Sequence, residues 1–159
     1  MRARSTQCGV TLIELVLAIA IGAILLSGIS NLLKIGLDAG ASVRNSNELA
    51  YQGSFALARI TDKARVTTPK ILTTPAANTS GDWFAPVMYC LNAGNQLIET
   101  TTADTACTGT LVIAGNVSAF SATLPAVIGR PVAQFSLTMS NAGSTQALSS
   151  GIRLGGGVL

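Results

Sequence analysis

Hydrophobic residues are concentrated in one continuous run near the amino terminus. Residues 10–33 form a stretch of 24 residues that contains a single charge, Glu14. At 1.5 Å rise per residue, this run is roughly 36 Å long as a helix, which is enough to cross a hydrocarbon core of about 30 Å. The pattern therefore predicts a membrane-spanning helix over residues 10–33.

The residues that flank this run predict its orientation. Residues 1–9 are polar and carry Arg2 and Arg4, whereas Lys34 and Asp38 after the run cancel one another. Basic residues beside a membrane span stay in the cytoplasm. We therefore expect a single pass with the amino terminus in the cytoplasm and the rest of the chain on the other side of the membrane.

The helical pattern continues beyond the apolar run as an amphipathic segment, residues 34–68. Its apolar positions recur every three to four residues, which predicts one face that packs in a core: Leu49, Gly53, Ala56, Leu57, Ile60 and Ala64. Since proline disfavours helix in the residue before it, Pro69 predicts that the helix ends near Val66–Thr68.

Charged residues of the amphipathic segment are spaced as pairs on the helix surface. Arg44 precedes Glu48 by four residues, and Arg59 precedes Asp62 by three. Pairs at these spacings stabilise a helix by about 0.2–0.5 kcal/mol each. We expect these residues to form a solvated face.

Residues 69–159 change to short segments separated by turn residues. Their apolar and β-branched positions predict six strands: Phe84–Leu91, Gln96–Thr101, Thr110–Ile113, Val117–Leu124, Val132–Ser140 and Leu148–Leu154. Asn-Ala-Gly at 92–94 and at 141–143 is typical of turns. A helix followed by a run of strands indicates an α+β fold, with a long N-terminal helix packed on a C-terminal antiparallel β-sheet.

Composition restricts the chemistry of the chain. The 159 residues include no histidine, which excludes Ser-His-Asp and Cys-His nucleophiles and histidine-ligated metal sites. Beyond the helix the carboxylates are Asp82, Glu99 and Asp104, and their spacing indicates no acid–base pair. We therefore predict no enzyme activity, no cofactor and no metal site, with a metal-stabilised loop at Asp82 or Asp104 left as an open alternative.

Charge is scarce along the whole chain. Charged residues make up 11% of the sequence, against about 25% in an ordinary soluble domain. This deficit indicates a membrane segment or subunits that bury one another. Ten basic against seven acidic residues is too small an excess to predict a nucleic-acid partner.

The most specific signal is the string Gly-Val-Thr-Leu-Ile-Glu-Leu at residues 9–15, which follows a short basic leader. It resembles the processing site of the type IV pilins and of the pseudopilins of type II secretion. Val10 stands where the family usually has phenylalanine. The resemblance covers residues 9–33 and joins a leader, a glycine, a glutamate and an apolar helix.

The resemblance implies how the chain is processed. A prepilin peptidase would cut between Gly9 and Val10 on the cytoplasmic side, so that residues 1–9 are a cleaved leader. The new amino group of Val10 would then be N-methylated. Glycine suits the position before the cut, because without a Cβ its backbone can approach a catalytic site closely.

Glu14 is the residue that the resemblance links to assembly. In a filament the N-terminal helices pack in an apolar core, where an unpaired carboxylate is unfavourable. The amine of Val10 on a neighbouring subunit is the expected partner, and this pair would set the axial register. The alternative is that Glu14 lies among lipid headgroups near the start of the span.

The three cysteines divide between two compartments. Cys8 leaves with the leader, whereas Cys90 and Cys107 stay outside the membrane, where disulfides are favoured. Two cysteines without histidine do not supply the four ligands of a structural metal site. We therefore predict a Cys90–Cys107 disulfide that closes a loop of about 17 residues and contributes about 3 kcal/mol.

The predicted function is that of a structural subunit, a minor pilin of a type IV pilus-like filament. Residues 55–65 loosely resemble a stretch of minor pilins and of J-type pseudopilins, which favours a minor subunit. The alternatives are a pseudopilin of a type II secretion system, which drives protein export, and a membrane-anchored binding module. A secretory signal cut after Ala20 is the competing interpretation of the apolar run.

The same resemblance implies partners and location. The partners are other pilin subunits through the N-terminal helix, the prepilin peptidase and methyltransferase, the inner-membrane assembly platform, and membrane lipid before assembly. The chain is expected in the inner membrane, with its C-terminal head in the periplasm, and then in a pilus or pseudopilus filament.

Overall fold

The computed structural model describes residues 11–67, 71–124 and 132–153. Within them the chain forms one helix, α1 (Leu12–Val66), followed by strands only. The strands are β1 (Val87–Leu91), β2 (Leu97–Thr101), β3 (Leu111–Ala114), β4 (Val117–Thr123), β5 (Ala133–Asn141) and β6 (Ser144–Ile152). The predicted α+β class is confirmed. The chain divides into two compact units, residues 1–41 and residues 42–159.

The predicted buried face of α1 is confirmed. All six predicted positions from Leu49 to Ala64 are buried, and Thr61 joins them. We call these seven residues the core stripe. The Thr61 hydroxyl donates a hydrogen bond to the carbonyl of Ala58 at 2.9 Å, so this polar side chain is satisfied within its own helix.

The end of α1 agrees with the sequence pattern. The helix ends at Val66, and the Thr67 hydroxyl donates to the carbonyl of Lys63 at 2.8 Å. Lys63 and Arg65 lie in the last turn, where positive charge interacts favourably with the helix dipole. Capping by Thr67 therefore satisfies one of the carbonyls that a helix leaves free at its C-terminus.

Gly53 allows α1 and the strands to approach closely. A Cβ added at Gly53 would lie 2.7 Å from Leu148 Cδ1 and 2.8 Å from Met139 Sδ. Both distances are shorter than van der Waals contact, so any larger residue would displace these side chains. The glycine at this point of the core stripe therefore lets the side chains of Leu148 and Met139 pack against the helix without displacement.

The strands form two sheets, where the sequence predicted one. Each is antiparallel and three-stranded, in the orders β1-β2-β3 and β4-β5-β6. Only Gly115 and Asn116 separate β3 from β4, a spacing that usually makes a hairpin. Instead, the Val117 N–H donates to the Asn95 carbonyl at 2.9 Å and the Ser140 N–H donates to the Asn116 carbonyl at 2.8 Å. These bonds carry the chain from one sheet to the other.

Two strands begin three or four residues away from their predicted starts, and the other boundaries of the six strands agree to within two residues. β1 begins at Val87 and not at Phe84, because residues 81–86 form turns and Pro86 has no N–H for the strand ladder. β6 begins at Ser144, four residues before the predicted start. The turn predicted at 141–143 is present, and its Ala142 and Gly143 have φ values of 47° and 82°, as a two-residue hairpin requires.

An aromatic cluster fills the core of the head. Trp83, Phe84, Tyr89 and Phe135 are each at most 1% exposed. The Trp83 and Phe135 ring centroids are 6.0 Å apart in an edge-to-face arrangement, and those of Phe84 and Phe135 are 5.8 Å apart. The Trp83 indole N–H donates to the carbonyl of Thr73 at 2.8 Å. The cluster is thus packed and hydrogen-bonded at its polar edge.

We predict that Phe135→Ala lowers the free energy of unfolding by about 3–5 kcal/mol, because it removes a fully buried ring and leaves a cavity. Trp83 is the single tryptophan of the chain and touches this ring, so its fluorescence during urea unfolding of the full chain in detergent measures the effect. The matched control is Ile71→Ala, whose side chain is 85% exposed, and its effect should stay within about 0.5 kcal/mol. Equal losses in the two variants would contradict the placement of Phe135 in the core.

Candidate functional site

The N-terminal part of α1 presents bare apolar surface. Every Leu, Ile and Val from Leu12 to Leu37 is more than half exposed. The most apolar 18-residue window of α1 has a mean hydropathy of 2.6, and none of that window is buried. By length and composition, α1 can therefore cross a membrane.

The serines within this apolar surface are satisfied by their own helix. The Ser27 hydroxyl donates to the Ile24 carbonyl and the Ser30 hydroxyl to the Leu26 carbonyl, both at 2.8 Å. Unsatisfied polar groups are costly in hydrocarbon, so this bonding suits surroundings without water. The two hydroxyls therefore leave the segment effectively apolar.

Glycines give the same segment places where another helix can approach. Around Gly22, Gly28, Gly36 and Gly40, no described atom beyond the chain neighbours and the local helix backbone lies within 4 Å of an added Cβ. Small residues at helix surfaces let the backbones of neighbouring helices come close. The surface of the segment is thus suited to contact with other apolar helices.

Glu14 lies in the first turn of α1. Its N–H donates to the Thr11 carbonyl at 3.1 Å, and the residue is exposed. A negative charge in the first turn is stabilised by the helix dipole. Thr11 and Glu14 also have the Thr-x-x-Glu spacing that is typical of a capping box, a signal that the sequence predictions did not include. Gly9 and Val10, the predicted cleavage and methylation residues, lie outside the described residues.

An ion pair joins α1 to the first sheet. Arg59 Nε lies 2.5 Å from Glu99 Oε2, and Arg59 Nη2 lies 3.1 Å from Glu99 Oε1, so the contact is bidentate. The predicted Arg59–Asp62 pair is wrong, because Asp62 pairs with Arg65 at 3.1 Å. Glu99 on β2 competes successfully for Arg59 because it presents both carboxylate oxygens to the planar guanidinium.

Tyr89 lies beside this ion pair. The hydrogen bond from Arg59, followed by its positive charge, lowers the pKa of Glu99 against an opposing effect of partial burial. Burial is the largest cause that raises the pKa of Tyr89, and the negative charge of Glu99 adds to it. Tyr89 therefore stays protonated beside Glu99, while Glu99 stays ionised opposite Arg59.

The loop after β2 is fixed by a disulfide and by one carboxylate. Cys90 of β1 is bonded to Cys107, with 6.0 Å between their Cα atoms, which is the predicted pair. The Asp104 carboxylate accepts the N–H groups of Thr108 and Gly109 at 2.9 Å each. These backbone bonds, with the Thr108 N–H first, lower the pKa of Asp104. The Asp104 carboxylate thus accepts hydrogen bonds from the backbone of its own loop.

Within residues 11–67, 71–124 and 132–153, no group of three or more His, Cys, Asp and Glu side chains could hold a metal ion. A cavity of about 610 Å³ lies beside the disulfide, between residues 73–82 and residues 105–107. Thr, Ala and Pro make up half of the residues that line this cavity, and Asp82 is the one charged residue among them.

We predict that Glu99→Gln lowers the free energy of unfolding by about 1 kcal/mol at neutral pH, because it removes one charge from a partly exposed ion pair. The pKa of Glu99 is lowered in the folded state, so its contribution is full above the ordinary value of 4.5 and is lost as the pH falls through the folded-state value. Urea unfolding of both chains from pH 7 to pH 3 measures this, and the two stabilities should converge at the acid end.

The control for this experiment is Asp62→Asn, which also removes one carboxylate from an ion pair of α1. Asp62 and Arg65 are both largely exposed, so we expect almost no change in stability at any pH. A pH-independent loss in Glu99→Gln would mean that the ionised carboxylate is not what stabilises the contact.

Comparison with known proteins bears on the N-terminal segment. Residues 4–30 match the prokaryotic N-terminal methylation motif. This match supports the type IV pilin and pseudopilin family, whose members are structural and not enzymatic. No curated protein sequence and no solved structure matches the chain.

Proposed function

We propose that the chain is a minor pilin, a structural subunit of a type IV pilus-like filament that is assembled from the inner membrane. One observation carries this proposal. The methylation motif at residues 4–30 leads directly into the bare apolar surface of α1, whose most apolar window has a mean hydropathy of 2.6. A processed N-terminus followed by an unburied apolar helix is what a filament subunit needs.

Processing is the first step of the proposed function. Water adds across the Gly9–Val10 peptide bond, which releases residues 1–9 with a new carboxylate and leaves a new amine on Val10. A sulfonium methyl donor then transfers one methyl group to that amine; the carbon–sulfur bond breaks, a thioether and a proton are released, and the methylated amine is still positively charged when it is protonated. The mature chain then begins one residue before Thr11, whose carbonyl accepts the first hydrogen bonds of α1.

Assembly is the second step. The apolar segment moves from lipid into a filament core of similar polarity, so hydrophobic burial alone distinguishes poorly between positions in the filament. A buried carboxylate is unfavourable without a cation. Glu14 therefore selects the position at which it meets the Val10 amine of a neighbouring subunit, and this selection sets the axial register.

A pseudopilin of a type II secretion system is the second candidate. It is supported by the same motif and by the loose resemblance of residues 55–65 to J-type pseudopilins. Deletion of the gene separates the two functions. Loss of twitching or of DNA uptake supports the pilus subunit, whereas loss of exoprotein secretion supports the pseudopilin.

We predict that the mature chain isolated from membranes comprises residues 10–159 and carries one additional methyl group. Intact-mass measurement tests this directly. In Gly9→Leu, the side chain blocks close approach of the backbone to the peptidase, so we expect the uncut chain to accumulate. An uncut wild-type chain, or one cut after Ala20, would contradict the proposed processing.

We also predict that Glu14→Ala lowers incorporation into filaments by about ten- to a hundredfold, since a hydrogen bond between charged groups contributes about 1.5–3 kcal/mol. The measurement is the ratio of filament-bound to membrane-bound chain. The matched control is Glu48→Ala, which also removes a carboxylate from α1. The Glu48 side chain accepts a hydrogen bond from Gln52 of its own helix, so its removal should leave incorporation unchanged. Unchanged incorporation of Glu14→Ala would show that Glu14 does not set the register.

A further inference from the structure

The second sheet carries no charge on any of its strands. Strands β4, β5 and β6 contain no Asp, Glu, Lys or Arg. Native proteins protect the edges of sheets with lysine, proline, bulges or short strands. β6 is an edge strand of nine residues without proline, and it pairs with β5 from end to end without a register shift. Within residues 132–153, the outer edge of β6 therefore has none of these protections.

An open groove follows this edge. It has a volume of about 490 Å³ and lies between residues 147–150 of β6 and one flank of α1. The α1 residues that line it are Ser54, Leu57, Ala58 and Thr61. The groove is uncharged and runs along four consecutive strand residues, a length of about 13 Å. A short, neutral, extended segment fits these dimensions.

β3 offers a segment of that description. It is an edge strand of the first sheet, has four residues and carries no charge. Leu111 is 49% exposed and Val112 is 44% exposed, which is unusual for large apolar side chains of the head. The length, neutrality and apolar side chains of β3 thus match the groove beside β6.

We propose that β3 of one copy of this chain adds as a strand to β6 of a second copy. The added strand would pair with the backbone N–H and C=O groups along the outer edge of β6 and place an apolar side chain near Leu57 in the groove. Because β3 and β6 are different surfaces, the contact is heterologous and continues from copy to copy without closing into a dimer. The inference rests on the proposed function in so far as the copies stand side by side in one membrane.

Mixed disulfide cross-linking tests the pairing. Two full-length chains with different tags are produced together, both with Cys8→Ser. One carries Leu111→Cys or Val112→Cys, and the other carries Ala147→Cys or Ser149→Cys. Neighbouring strands bring facing Cα atoms within about 5.5 Å, which suits a disulfide. We expect a mixed dimer in at least one of the four combinations, and no dimer from either chain alone.

The sheet itself supplies a matched control. Ser136 is exposed, faces Ser149 across the β5–β6 ladder, and lies on the middle strand. Ser136→Cys should therefore give no mixed dimer. In the chain that carries Ala147→Cys, Ser149→Lys should abolish the cross-link, whereas Ser136→Lys should leave it unchanged. An intact Cys90–Cys107 disulfide in each variant shows that the head is folded.

Three results would overturn the pairing. They are the absence of a mixed dimer in all four combinations, a dimer from Ser149→Cys alone, and equal cross-linking by Ser136→Cys. Removal of residues 1–9 is followed by mass in the same samples. Normal processing without cross-linking rejects the strand pairing alone, whereas an unprocessed chain counts against the proposed function.

Discussion

The packing of the head against the core stripe of α1 is the interaction on which the rest of the structure depends. Within the described residues, the core stripe of α1 and the aromatic cluster around Phe135 belong to one buried hydrophobic cluster with residues of both sheets. Gly53 lets the second sheet approach the helix closely, and the Arg59–Glu99 contact fixes the first sheet to it. Both contacts are made by residues of α1 within or beside the core stripe. The helix therefore determines where the two sheets lie within the head.

Local periodicity explains which features could be predicted from the sequence. The core stripe and the alternation of Phe135, Leu137 and Met139 are properties of neighbouring residues, and both are confirmed. The motif at residues 9–15 likewise identified the processing segment, which the methylation-motif match supports. The roles of Gly9, Val10 and Glu14 in cleavage, methylation and register stay predictions.

Contacts between distant residues explain what could not be predicted. Arg59 and Glu99 are 40 residues apart, so helix spacing pointed to Asp62 instead. The division into two sheets depends on hydrogen bonds between distant residues, such as the one that the Val117 N–H donates to the Asn95 carbonyl. The two turn residues Gly115 and Asn116 do not by themselves predict that bond. Contacts between residues that are far apart in the sequence determine such features. A sequence pattern shows only which structure a short segment favours by itself.

The absence of charge from β4, β5 and β6 has a consequence for the surroundings in which the head can work. Salt weakens contacts between exposed charges, because ions screen them beyond about 10 Å at 0.1 M. Strands without charge offer nothing to screen. Ionic screening would therefore not weaken contacts made through this sheet as the salt concentration rises.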